Sequence, residues 1–330
     1  MAVMEFELIK RYFTDTGSER DDVVLGVGDD AAILSPPDGY ELVISTDTLV
    51  SHVHFFADVD PYLLGHKALA VNLSDLAAMG ARPAWVTLAL TLPAVDEAWL
   101  SDFSRGFSVL AHQHGVQLVG GDTTSGSLSI TVQVMGFVER GAAWRRDTAV
   151  PGDLIYVTGT LGDAGLALQA KQQRLPFPQN ALNKLCSRLE QPTPRISEAL
   201  ILNGLVNAAI DLSDGLLSDL GHILKASGVG AEIELDMLPL SSAFRACRQD
   251  ITAQQLSEES WQALPLSAGD DYELCFTISP GNRKEMEQRL SRQGFIAHHI
   301  GVIDKGVGLR CVQKNGELYQ AKKSGYEHFR

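Results

Sequence analysis

The stretch ELVISTDTLVSHVHF (41–55) followed by PYLLGHKALAVNLSDLAAMG (61–80) decides the fold class. Residues 41–46 form a short β-rich run, which predicts a strand ending at the polar Asp47. In 61–80, Leu64, Ala68, Val71, Asp75 and Ala78 recur at spacings of three and four, the period of one helix face. The alternation continues outward. AWVTLALTL (84–92) between Pro83 and Pro93 predicts a strand, 96–114 an amphipathic helix stopped by Gly115, and 129–138 another strand.

Pro151-Gly152-Asp153 punctuates the chain, and LIYVT (154–158) opens a new strand with a helix at 163–171. Four prolines make 174–194 read as partly irregular. Strands follow at 208–210, 272–278, 296–303 and 308–312, with helices at 214–226 and 283–293. Both halves mix strands and helices, so the class is α/β or α+β. A chain of 330 residues suits two domains, here 1–148 and 149–330.

Composition narrows the function classes. With 45% hydrophobic and 21% charged residues, the chain reads as globular rather than disordered. The formal charge is −14 and no basic run occurs, which argues against a nucleic-acid partner. No run of about 18 apolar residues suggests a membrane span. Residues 1–20 do not read as a signal peptide, and Cys186, Cys247, Cys275 and Cys311 form no CxxC. A reducing compartment, the cytoplasm, is the expectation.

Carboxylates gather where strands and helices end: Asp29 and Asp30, Asp47, Asp75, Asp122, Asp211 and Asp214, Asp270 and Asp271. Hard divalent cations take oxygen ligands and share them with substrate phosphates. Carboxylates alone would repel a polyphosphate, so such a cluster makes sense with metal ions between the two sets of oxygens. Each position also has a plainer explanation. Asp30 and Asp47 could simply make turns, and Gly120-Gly121 before Asp122 could be a tight turn or a close approach to a ligand. Ser213 or Asp214 could cap a helix whose N-terminus also suits a phosphate. Asp75 lies on an apolar helix stripe, where a carboxylate needs a partner or a metal. The chain has no G-x-x-x-x-G-K-[ST], no dinucleotide fingerprint, no H-E-x-x-H and no G-x-S-x-G. His52 and His54 form a close pair, and His298 and His299 fall in a strand-like segment where a structural role suffices.

Nine segments carry a resemblance. VGDDAAIL (27–34), ISTDTLVSHVHF (44–55), KALAVNLSDLAAMGARP (67–83), LVGGDTT (118–124) and PGDLIYVTGTLGDAGLAL (151–168) lie in the first part. PTPRI (192–196), AIDLSDGLLSDLGHI (209–223), SAGDDYELCFT (267–277) and GYEHF (325–329) follow. Together they resemble the thiamine-monophosphate kinase family, in a superfamily with aminoimidazole-ribonucleotide synthetase, selenophosphate synthetase and the hydrogenase-maturation dehydratase.

The resemblance implies an N-terminal ATP- and magnesium-binding domain whose sheet pairs with that of a second subunit. It also implies a C-terminal α/β domain that completes the cleft. It assigns magnesium ions or their waters to Asp30, Ser45, Thr46, Asp47, Asp75, Asp122, Asp211 and Asp214. ATP contacts fall to Gly121, Asp122, Arg146 and Ser213, and thiamine phosphate contacts to His54, Asp270 and Tyr326. Asp47, Asp75, Asp122, Arg146 and Asp214 would carry the transfer of the γ-phosphoryl of ATP to thiamine monophosphate. One departure stands out: AGDDYEL is found where the family usually has GGEDYEL, so Asp270 is a methylene short of the usual glutamate.

Rival readings are a sister enzyme such as aminoimidazole-ribonucleotide synthetase, or a silent nucleotide- or metal-binding protein. The first cysteine being Cys186 disfavours a selenophosphate synthetase, and the end of the chain lacks the cysteine tail of the hydrogenase-maturation member.

Overall fold

The computed structural model describes residues 5–250, 256–322 and 324–326. The chain divides into two compact units. Met1–Leu76 with Ala81–Ala143 forms the first, and Ala77–Gly80 with Trp144–Arg330 the second.

The first unit contains α1 (Glu5–Tyr12), β1 (Val23–Leu25), β2 (Ile33–Leu34), β3 (Tyr40–Val50), most of α2 (Pro61–Ala78), β4 (Arg82–Leu92), α3 (Glu97–Gln113), β5 (Gln117–Ser125) and β6 (Ser129–Glu139). Its main sheet has the order β3-β6-β4-β5, with β4 and β5 parallel across the α3 crossover and the other pairs antiparallel. The central strands alternate over 86–92 of β4 and 129–134 of β6. Val86, Leu88 and Leu90 of β4 and Ile130, Val132 and Val134 of β6 are buried, while Thr87, Ala89, Thr131 and Gln133 are partly open. Asp96 caps α3 by accepting the backbone N–H groups of Ala98 and Trp99.

The second unit contains β7 (Leu154–Thr158), α4 (Asp163–Gln173), α5 (Gln179–Glu190), α6 (Ile196–Leu202), β8 (Val206–Asp211), α7 (Leu216–Ser227) and β9 (Gly230–Glu234). After these come α8 (Ser242–Gln249), α9 (Glu258–Ser267), β10 (Leu274–Ile278), α10 (Arg283–Arg292), β11 (Ala297–Asp304), β12 (Gly308–Val312) and β13 (Leu318–Tyr319). Its seven-stranded sheet has the order β13-β12-β9-β11-β7-β10-β8, with β12 and β9 its parallel pair. Leu216, Leu220, Ile223 and Leu224 of α7 share a buried cluster with Ile155, Val157, Ile210, Ile233 and Cys275. That packing holds the end of β8, and therefore Asp211, against the helix that follows it.

The mixed helix-and-sheet class expected from the sequence is observed, with four local differences. β3 runs eleven residues and passes through Asp47 instead of ending there. Pro83 lies inside β4, tolerated where the register with β6 shifts between Pro83 and Trp85. β5 continues as a strand through Gly120-Gly121, so these glycines make no turn. The proline-rich 174–194 holds a full helix, α5, because its prolines flank the helix and leave its interior free.

Candidate active site

In the first unit the candidate residues are set by strand alternation. Along β3, Ser45 and Asp47 face one side and Thr46 faces the other. The Ser45 and Asp47 side meets α2: Ser45 Oγ donates to Asp75 Oδ2 at 2.5 Å, and the Asp47 backbone N–H donates to Asn72 Oδ1 at 3.0 Å. Asn72 is 1% exposed, and its Nδ2 returns a bond to the Ala68 carbonyl at 2.9 Å. Asp75, expected to need a partner on an apolar stripe, has one in Ser45.

Thr46 lies on the opposite, open face, where Gln133 Nε2 donates to its Oγ1 at 3.2 Å. The next rung on that face joins Thr48, Thr131, Ala89 and Asp122 through β3, β6, β4 and β5. Asp122 is therefore three strand spacings, roughly 14 Å, from β3. Within this sheet Asp122 is not brought together with Asp47 and Asp75. Gly121 packs so closely on β4 that a Cβ there would lie 1.9 Å from the Leu88 carbonyl oxygen. Asp30 is exposed in a bend after β1, its N–H donating to Asp29 Oδ1 at 2.8 Å. His54 closes the turn after β3: its Nδ1 accepts the Val50 N–H at 2.9 Å, which leaves Nε2 to carry the proton of the neutral ring.

In the second unit three backbone segments meet. Asp211, buried at the end of β8, leads into the turn Leu212-Ser213-Asp214-Gly215 before α7. The Asp270 N–H donates to the Ser213 carbonyl at 2.9 Å and the Tyr272 N–H to the Leu212 carbonyl at 2.8 Å. The Tyr326 N–H donates to the Asp214 carbonyl at 3.1 Å. Asp211, Ser213, Asp214, Asp270 and Tyr326 are thus gathered around one turn. Asp270 and Tyr272 both take left-handed backbone angles, φ 67° and 48°, conformations that non-glycine residues hold only where the surroundings enforce them. Glu327, His328 and Phe329 of GYEHF lie outside the described residues. Arg146 is exposed, its carbonyl accepting Ser227 Oγ at 2.8 Å.

The rest of GDDYEL points into the interior. Asp271, 3% exposed, receives the Gly162 N–H on both carboxylate oxygens, at 3.0 and 2.9 Å. Burial pushes its pKa well above the ordinary carboxylate range. Glu273, 0% exposed, accepts Arg188 at 2.5 Å, Arg195 at 2.5 and 2.6 Å, and Thr158 Oγ1 at 2.6 Å. The sequence grouped Asp271 with Asp270 in the acidic cluster, whereas Asp271 and Glu273 are interior anchors. Also unforeseen is Asp219, which bonds the Asp214-Gly215 turn from within α7. Its signal is a carboxylate five residues after Asp214, one helical turn into α7.

The oxygen-rich donor set, a hydroxyl, carboxylates and backbone groups, suits a hard cation. Among the described residues no three His, Cys, Asp or Glu side chains form a closed metal cage. Magnesium does not require one, since it binds through one or two carboxylates, substrate phosphates and water.

Comparison with known proteins agrees with this picture. The AIR synthase related protein, N-terminal domain, matches residues 28–138, and the C-terminal domain of the same family matches 150–314. The thiamine-monophosphate kinase of Escherichia coli (strain K12) is 48% identical over 330 residues, covering 100% of this chain and 99% of that one. The crystal structure of thiamine-monophosphate kinase from Stenotrophomonas maltophilia K279a superposes with a TM-score of 0.83 at 46% identity, covering 91% and 93% of the two chains. AaThiL complexed with AMPPCP and TMP superposes at 0.76 with 28% identity, covering 92% of each chain. The chain is an enzyme of the thiamine-monophosphate kinase family.

Proposed function

We propose that this enzyme transfers the γ-phosphoryl of ATP directly to thiamine monophosphate, giving thiamine diphosphate and ADP. The observation that carries this is full-length similarity at 48% identity to a thiamine-monophosphate kinase. A relative at 28% identity, complexed with AMPPCP and TMP, supports ATP and thiamine monophosphate as the two substrates.

The acceptor is a phosphate oxygen that is largely ionised near neutral pH, so no strong general base is required. Alignment and charge neutralisation are. Asp30, Ser45, Thr46, Asp47, Asp75, Asp122, Asp211 and Asp214 would hold several magnesium ions or their waters. When bound, those ions screen the two anions from each other and polarise the phosphoryl oxygens.

The remaining roles belong to the chain itself. Arg146 supplies a fixed positive charge to ATP, and Gly121, Asp122 and Ser213 bind the nucleotide beside it. His54 offers Nε2–H to the thiamine phosphate, an orientation supported by its Nδ1 bond to the Val50 N–H. Asp270 and Tyr326 meet the thiamine rings. The reaction is in-line with no covalent phospho-enzyme, and labelled phosphate retained on the denatured protein during turnover would overturn that.

In this reading the N-terminal domain, 1–148, binds ATP and magnesium and dimerises, and 149–330 completes the site. The homodimer is supported by β3, an edge strand exposing Tyr40, Leu42 and Ile44 in a row. A single-chain mass at sedimentation equilibrium would overturn it. All four cysteines are free thiols, in keeping with a cytoplasmic protein. No described helix is long and apolar enough to cross a membrane.

The deciding assay mixes protein, ATP, magnesium and thiamine monophosphate and reads thiamine diphosphate by chromatography. Product that disappears with EDTA, and is absent when free thiamine replaces the monophosphate, is expected. ATP consumption without that product would point to another acceptor in the superfamily. Asp47→Asn and Asp75→Asn are each expected to lower kcat at limiting magnesium by at least roughly 100-fold, the scale of losing one fixed charge at a phosphoryl site. Full activity in either variant would remove that residue from the metal site.

A further inference from the structure

Asp219 lies in the first turn of α7 and is 2% exposed. Its Oδ2 accepts two backbone bonds, from the N–H of Asp214 at 3.1 Å and of Gly215 at 3.0 Å. Gly215, the residue before α7, has φ 119° and gives the helix no side-chain cap. Asp219 therefore reaches back from inside the helix to the N–H groups of Gly215, at its start, and of Asp214 before it, as the inner arm of a capping box does.

The same turn is held from its other side. Asp214 offers its carbonyl to the Tyr326 N–H at 3.1 Å, and a Cβ on Gly325 would lie 2.8 Å from that carbonyl oxygen. Asp214 is thus fixed through its N–H by Asp219 and through its C=O by the segment carrying Tyr326.

Burying a carboxylate next to Asp214 is costly for stability. A placement this unfavourable for the fold has its return in the shape of the turn.

We propose that Asp219 is a positioning residue for phosphoryl transfer. It holds the 211–215 turn in the one shape that presents Asp214 to magnesium and phosphate. This rests on the reading of Asp211 and Asp214 as metal-binding residues, and the test separates the two claims.

Magnesium would be titrated calorimetrically into the protein with AMPPCP, and amide exchange followed at Asp214 and Gly215. Asp219→Ala is expected to weaken magnesium binding roughly 10–100-fold, the usual effect of removing an outer support of a metal site, and to speed exchange at both amides. Asp219→Asn keeps an oxygen that can accept both N–H groups and should stay near the wild-type affinity. Leu224→Ala, buried on the same helix, should lower Tm and leave both readouts unmoved.

Wild-type magnesium affinity in Asp219→Ala would overturn the proposal. So would equal damage in Asp219→Asn, because charge and not shape would then matter. If Asp219→Ala does not fold, Asp219→Ser, whose hydroxyl is too short to reach both N–H groups, takes its place against Asp219→Asn. Wild-type protein that binds no magnesium with AMPPCP would sink the metal reading, and the amide exchange comparison would still decide whether Asp219 shapes the turn.

Discussion

Gly120 and Gly121 are adjacent and chemically identical, yet the strand pairing treats them differently. A Cβ on Gly121 would stand 1.9 Å from the Leu88 carbonyl oxygen, a backbone atom that cannot swing aside, whereas a Cβ on Gly120 would meet nothing within 4 Å. Gly121→Ala must therefore push β5 away from β4 or bend it, at a cost of about 1–3 kcal/mol. Gly120→Ala should change stability by less than about 0.5 kcal/mol. Thermal denaturation of the two variants side by side checks this, and equal Tm values would mean that β5 is not seated on β4 as described. Because Asp122 follows Gly121 directly, Gly121→Ala should also raise the KM for ATP, while Gly120→Ala should not.

At the scale of elements, α2 and β3 show what was legible in the sequence. The helix was plain from its period, and Asp75 could be singled out because a carboxylate on an apolar stripe needs a partner. The length of β3 was not legible, because Ser45-Thr46-Asp47 reads equally well as the polar end of a strand. Carried on as a strand, those three residues cannot all face one ion: alternation sends Ser45 and Asp47 towards α2 and Thr46 to the open face. Gly120-Gly121 was open between a tight turn and a close approach, and no local signal shows that the approach at Gly121 is to the backbone of β4. The contacts that lock these elements together, Asn72 on Asp47 and Asp219 on Asp214, pair residues whose meaning appears only once the chain has folded. Asn72 supports a direct prediction. Its Oδ1 satisfies the Asp47 N–H, a donor on an edge strand, at 3.0 Å. Asn72→Leu removes that acceptor and is expected to cost about 1 kcal/mol, the net worth of one part-buried hydrogen bond. It should also lower kcat, because Asp47 loses its anchor. A variant with a lowered Tm and wild-type kcat would show that the bond serves stability alone.

At the scale of the whole chain, stability and the site share one buried network in the second unit. Glu273, the residue before β10, ties together Thr158 of β7, Arg188 of α5 and Arg195 before α6, and it lies three residues from Asp270. Burial by itself would raise the Glu273 pKa, but the charges of Arg195 and Arg188 outweigh it, with hydrogen bonds from Arg195 and Thr158, and hold it below its ordinary value of 4.5. For an acid with a depressed folded pKa, the stabilisation is complete above the unfolded value and is lost as pH falls through the folded one. Glu273→Gln leaves Arg188 without its ion-pair partner and Arg195 with Glu198 alone, and should cost roughly 3–5 kcal/mol at neutral pH. The Tm gap between wild type and Glu273→Gln should stay constant from pH 8 down to about 5, then close as wild-type Glu273 itself takes up a proton. Asp271 acts in the opposite sense, since its raised pKa makes the folded state lose ground as pH rises above its ordinary 3.8. That residue is present in both proteins, so comparing them at each pH removes its contribution to first order. A gap that does not change between pH 7 and pH 3 would mean that Glu273 contributes through packing and not as a charge.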